Sequence, residues 1–177
     1  MRYQIGVVGS AIETDENIKE KARKVGQAIA EYDCTLITGG CGGLPYEAAK
    51  GANLECGTVI GVSPASNLRE HVNVYKMPEK EYSSLIFTGF GKKGRTVPLA
   101  RSCDALIAIS GRTGTMVELG IAYDENRLIG LLSGVPGVSG YFDEWVGKLG
   151  KPGGKIIKNE NPETLVKEVV EYLKKSK

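Results

Sequence analysis

In the stretch AISGRTGTMVELG, residues 108–120, an apolar run passes through a glycine turn into a helix-like segment carrying one carboxylate, Glu118. Such a turn attracts anions, because unpaired backbone N–H groups and the positive end of the helix dipole converge at a helix start. The expected phosphate donors are the N–H groups of Gly114, Thr115 and Met116 with the Thr115 hydroxyl, in a turn completed by Gly111, Arg112 and Thr113. Glu118, three residues beyond Thr115, is expected in the first turn of the helix, about one helical turn from those donors. The dipole alone favours acids there, so position leaves a chemical and a structural role both open.

Two more glycine turns accompany this one. Gly9 and Ser10 follow an apolar run, and GGCGG, with Gly39, Gly40, Gly42 and Gly43, follows another. In an open α/β sheet, ligands bind at the carboxyl ends of the strands, so three such turns on one edge predict a nucleotide-sized pocket. GVVGSA lacks the full G-x-G-x-x-G fingerprint, and GGCGGLP has Leu44-Pro45 where a phosphate loop needs Lys-Ser or Lys-Thr. A dehydrogenase and an ATPase are therefore disfavoured.

Cys34, Cys41, Cys56 and Cys103 form no CxxC pair, and His71 is the only histidine. No metal site is expected, and the cysteines read as reduced thiols. Cys41, in a glycine loop, is a weakly supported nucleophile.

The elements that must position these residues alternate between strand-like and helix-like runs, which predicts a parallel sheet covered on both faces. Strands are expected at Tyr3–Val8, Cys34–Thr38, Gly57–Val62, Val72–Met77, Asp104–Ser110, Asn126–Leu132 and Lys155–Lys158. Ile18, Ala22, Val25 and Ile29 share one helix face, and further helices are expected at Tyr46–Ala52, Thr96–Cys103, around Met116, Leu119 and Tyr123, and at Tyr141–Leu149. Residues 79–93 fit helix or loop. Asn161 and Pro162 open a last helix with Leu165, Val169 and Leu173 inward. The fold class is a Rossmann-like, three-layer α/β/α domain over residues 1–177, with a mostly parallel sheet of about seven strands.

The net charge is +2, from 23 basic and 21 acidic residues, with the signs interspersed. The basic run Lys174, Lys175 and Lys177 suits a helix end in solvent, so no nucleic-acid patch is expected. The first ten residues do not read as a signal peptide, and no apolar run approaches the roughly 20 residues of a membrane span. A cytoplasmic protein without a membrane partner is expected.

The segment GKKGRTVPLARSCDALIAISGRTGTMVELG resembles the diagnostic segment of the LONELY GUY (LOG) phosphoribohydrolases and their relatives, once widely labelled possible lysine decarboxylases. Arg95, Ala100, Arg101, Asp104, Ala105, Ile107, Ala108, Gly111, Gly114, Thr115 and Glu118 match the family pattern without a gap. Upstream, LITGGCGGLPYEAAKGA is similar to the glycine turn of relatives grouped with the DNA-processing protein DprA. The resemblance spans Gln4 to about Leu132.

It implies a Rossmann-like homodimer, paired through the helices flanking the GRTGT turn, that binds a nucleoside 5′-monophosphate without a cofactor. In active members the N-glycosidic bond is hydrolysed to free base and ribose 5-phosphate. The catalytic arginine and glutamate fall on Arg95 and Glu118, and Thr96 joins the nucleotide-binding set. Cleaving that bond builds oxocarbenium-like charge on the ribose, which a carboxylate can stabilise while it activates water. The chain departs from the pattern at Ser110, where the family has proline, at Arg112, where it has glycine, and at GGCGG, where it has GGG. A related alternative is a carrier that holds a nucleotide or a molybdenum-cofactor-type ligand uncleaved. A DNA-binding module predicts steeply salt-dependent affinity, and the balanced charge and few aromatics oppose it. A pyridoxal-phosphate decarboxylase needs a Schiff-base lysine, and no lysine stands at a distinctive motif.

Overall fold

The computed structural model describes residues 1–12 and 15–176; Lys177, the last of the terminal lysines, lies outside them. The chain runs β1 (Gln4–Gly9), α1 (Glu16–Glu31), β2 (Thr35–Thr38), α2 (Leu44–Leu54), β3 (Val59–Ser63), α3 (Leu68–Asn73), β4 (Ser84–Phe87) and α4 (Gly91–Gly94). It continues with α5 (Thr96–Arg101), β5 (Ala105–Ile109), α6 (Thr113–Asp124), β6 (Leu128–Leu132), α7 (Phe142–Gly147), β7 (Ile156–Asn159) and α8 (Pro162–Lys175). The seven strands form one sheet in the order β4-β3-β2-β1-β5-β6-β7, and every pairing is parallel. The fold is Rossmann-like.

Side chains alternate across each strand, so the sheet feeds two cores. Ile5 and Val7 of β1 with Ile107 and Ile109 of β5 pack under α1, α2 and α8. Val8, Leu106, Ala108, Ile129 and Leu131 pack against Leu99 of α5, Leu119 of α6 and Phe142 of α7. β5 and β6 are buried at every position, which explains their near-continuous apolar sequences. Each fully buried Ile or Leu contributes about 2 kcal/mol of transfer free energy. Asp15 caps α1 by accepting from the Asn17 N–H, and Asn161 caps α8 by accepting from the Thr164 N–H.

One expected strand is corrected. Residues 72–77 hold no strand; α3 ends there, and the edge strand β4 lies in the stretch that fitted helix or loop. Local hydrogen bonds outweigh the Val-x-Val alternation: Asn67 Oδ1 accepts from the Glu70 N–H at 2.9 Å, and Glu70 accepts from the Ser66 N–H at 2.7 Å. His71 is then the buried residue of α3, bonded through Nδ1 to the Ser63 hydroxyl at 2.8 Å and through Nε2 to the Pro78 carbonyl at 2.8 Å. Among the described residues no helix is long and apolar enough to cross a membrane.

Candidate functional site

β1 and β5 are neighbours in the sheet, yet the chain leaves them toward opposite edges, which makes their carboxyl ends the topological switch point. A cleft of about 630 Å³ opens there. Of the residues expected to bind or react, Gly9, Ser10, Gly39, Arg95, Thr96, Arg112, Thr113, Gly114, Thr115 and Glu118 line it. Gly40, Gly42, Gly43 and Gly111 do not. Gly40 faces Ser63 and His71, Gly43 abuts the Ser10 and Ala11 backbone, Gly111 lies against the Thr115 side chain, and Gly42 faces open space. Lys92, Lys93, Cys41 and Met77 also line the cleft, and no sequence motif assigns them a binding role. The two lysines fall within the segment that carries the resemblance but not among its matched positions, and Met77 lies in the stretch expected as a strand.

Arg95 and Glu118 meet inside the cleft. Arg95 Nη1 donates to Glu118 Oε1 at 3.2 Å, and the two residues are 7% and 8% exposed. Arg95 is therefore no solvated arginine at a helix start. Burial pushes the Glu118 carboxyl above the usual carboxylate range, with the Arg95 charge opposing this. The Arg95 Nε is buried and has no acceptor among the described residues. Glu118 is the sixth residue of α6, so it stands in the second turn, not the first. The dipole acts mainly within the first turn and does not account for a buried acid at this position.

The start of α6 is open to an anion. Arg112 occupies the N-cap with no side-chain capping bond, which leaves the N–H groups of Thr113, Gly114 and Thr115 without intrahelical acceptors; the Met116 N–H, expected among the phosphate donors, is instead taken by the Arg112 carbonyl at 2.9 Å. The preceding turn is braced from behind. The Ser110 N–H donates to Ser139 Oγ at 2.9 Å, Ser139 Oγ donates to the Leu132 carbonyl at 2.9 Å, and the Val138 N–H donates to the Gly111 carbonyl at 3.0 Å. Ser110 has φ +57°. Proline, fixed near −65° and lacking an N–H, is incompatible with that conformation and with the bond to Ser139. The serine thus goes with a differently built turn, and Arg112 stands exposed at the rim rather than filling it.

Nucleophilic catalysis by Cys41 finds no support. Burial raises its thiol, an effect that Glu118 reinforces and Arg95 opposes, so the reactive thiolate is disfavoured. His71 is held by Ser63 and Pro78.

Comparison with known proteins follows the same fold. A protein of Archaeoglobus fulgidus described as uncharacterized is 35% identical over 130 residues, covering 73% of this chain and 79% of that one. The Moco carrier protein of Chlamydomonas reinhardtii superposes with a TM-score of 0.78 at 25% identity over 99% of each chain. DNA processing protein A of Helicobacter pylori, described with a single-stranded DNA binding mode, superposes with a TM-score of 0.63 at 14% identity, over 96% of this chain and 81% of that one. The SLOG cluster4 family model matches residues 2–166, and the chain belongs to that family.

Proposed function

We propose that the protein binds a nucleoside 5′-monophosphate in this cleft and hydrolyses its N-glycosidic bond. The observation that carries the reading is the buried Arg95–Glu118 pair, whose glutamate stands on the same helix as an uncapped N-terminus open to an anion. At a rise of about 1.5 Å per residue, Glu118 lies roughly 6 Å along α6 from the phosphate donors. That is the reach from a 5′-phosphate to the anomeric carbon of the same ribose.

The 5′-phosphate sits on the Thr113, Gly114 and Thr115 N–H groups, with Arg112 beside it. As the C1′–N bond breaks, its electron pair leaves with the base, which takes a proton from solvent. Positive charge spreads over C1′ and the ring oxygen, and the Glu118 carboxylate stabilises it. Water adds its oxygen to C1′ and gives its proton to Glu118. Arg95 positions the carboxylate, and its free Nε–H donates to the ligand. The supporting resemblance to the LOG phosphoribohydrolases rests on Arg95, Gly114, Thr115 and Glu118.

A second reading, a carrier that holds its ligand intact, draws on Arg112 and on the likeness to the Moco carrier protein. In that case Arg95 keeps Glu118 as a ligand contact. The reading in either form includes a homodimer, supported by the surface of α6: Val117 and the neighbouring Val97 of α5 are exposed, and Gly120 faces open space.

Incubation with a panel of nucleoside monophosphates, read by chromatography, tests the proposal. Release of free base and ribose 5-phosphate supports hydrolysis and names the base. Protection from heat by a nucleotide without release supports the carrier, and retardation of single-stranded DNA without nucleotide binding supports a nucleic-acid partner.

A further inference from the structure

The cleft holds more positive charge than one phosphate requires. Among the described residues, Lys92, Lys93, Arg95 and Arg112 line it against a single carboxylate, Glu118. Arg95 is engaged by Glu118. Among the described residues, Lys92, Lys93 and Arg112 make no ion pair.

These three cations do not form one cluster. Arg112 heads the helix that follows β5. Lys92 and Lys93 enter from the other side, on a segment tied to the end of β3: the Gly89 N–H donates to the Ala65 carbonyl at 2.9 Å, and the Gly91 N–H donates to the Pro64 carbonyl at 3.0 Å. β3 and β5 are separated by β2 and β1. Three inter-strand spacings of about 4.8 Å place the anchors roughly 14 Å apart. Arg95 lies over Gly39, after β2, between the two ends.

We infer that the ligand carries two separated anionic groups: a 5′-phosphate on the α6 turn with Arg112, and a second anion, carboxylate or phosphate, on the substituent at the anomeric carbon, held by Lys92 and Lys93. The ligand class is a phosphoribosyl compound with an acidic aglycone. This rests on the reading that the cleft takes a ribose 5-phosphate unit. A lone phosphate dianion leaves the lysines without a partner, whereas a second anion at the far end satisfies them.

Three matched pairs test it, each differing only in the second anion. They are uridine against orotidine 5′-monophosphate, nicotinamide against nicotinic acid mononucleotide, and ribose 5-phosphate against 5-phosphoribosyl 1-pyrophosphate. Affinities are read from the concentration dependence of thermal stability. In at least one pair the more anionic member should bind about three- to tenfold tighter at low salt, with the gap narrowing as salt rises. The first two pairs report a carboxylate and the third a phosphate. In the double variant Lys92→Gln/Lys93→Gln the gap should close while the affinity of the less anionic member stays the same, whereas Arg112→Gln should weaken both members alike. Equal affinities in all three pairs, or a gap that survives the lysine variant, overturn the inference alone. Binding of no member overturns it together with the nucleotide reading.

Discussion

The Arg95 guanidinium rests on Gly39: a Cβ built on that glycine would overlap Nη1 and Cζ of Arg95. The glycine turn after β2 therefore serves the site through the space it leaves for the arginine. Gly39→Ala should push the guanidinium off Glu118. Because small displacements of catalytic groups are costly, kcat/KM should fall by about tenfold or more. The fold should persist, since the atoms displaced belong to a side-chain end, and circular dichroism alongside kinetics separates the two effects.

Glu118 must be ionised to act as a base, and burial raises its pKa. A raised acid holds its proton to higher pH, so activity should be lost on the acid side at a pH above the ordinary glutamate range and recover as pH rises through the shifted pKa. The pH profile of kcat/KM checks this. An acid limb at the usual glutamate value would contradict the environment described for Glu118.

The thiols should differ in reactivity. Cys56 is exposed, Cys34 and Cys103 are buried, and Cys41 is half-buried in the cleft with a raised thiol. Alkylation followed by mass spectrometry should label Cys56 first and Cys41 slowly. A bound nucleotide should slow Cys41 further and leave Cys56 unchanged. Equal labelling of Cys41 with and without nucleotide would place the ligand elsewhere.

The proposed homodimer has its own test. A Cβ on Gly120 would meet open space, so the side chain of Gly120→Arg should leave the monomer fold intact while blocking a partner against α6. Light scattering should give a dimer mass for the wild type and a monomer mass for the variant. A wild-type monomer would refute the pairing.

The sheet was legible because β1, β2, β5 and β6 are central strands buried on both faces, and their apolar runs announce it. The edge strand β4 was not, since its half-exposed SLIF carries a weak pattern and Val72 and Val74 mimic a strand that the Asn67 cap turns into a helix. Arg95 and Glu118 could be paired in sequence only through a matched motif, because their contact spans 23 residues. The lysines of the cleft were hidden for another reason. Their role depends on which wall α4 occupies, and the tie from Gly89 and Gly91 to Ala65 and Pro64 has no sequence signature.

The central claim is that the Glu118 carboxylate does chemistry beside a phosphate held on α6. Glu118→Gln tests it most directly, because the amide oxygen still accepts from Arg95 while the carboxylate charge and its basicity are removed. With the nucleotide that the wild type cleaves, base release should fall about a hundredfold or more, while the affinity for ribose 5-phosphate stays within about threefold, a difference of less than 1 kcal/mol. Undiminished release by the variant, or a wild type that binds the nucleotide and never releases base, would contradict the account.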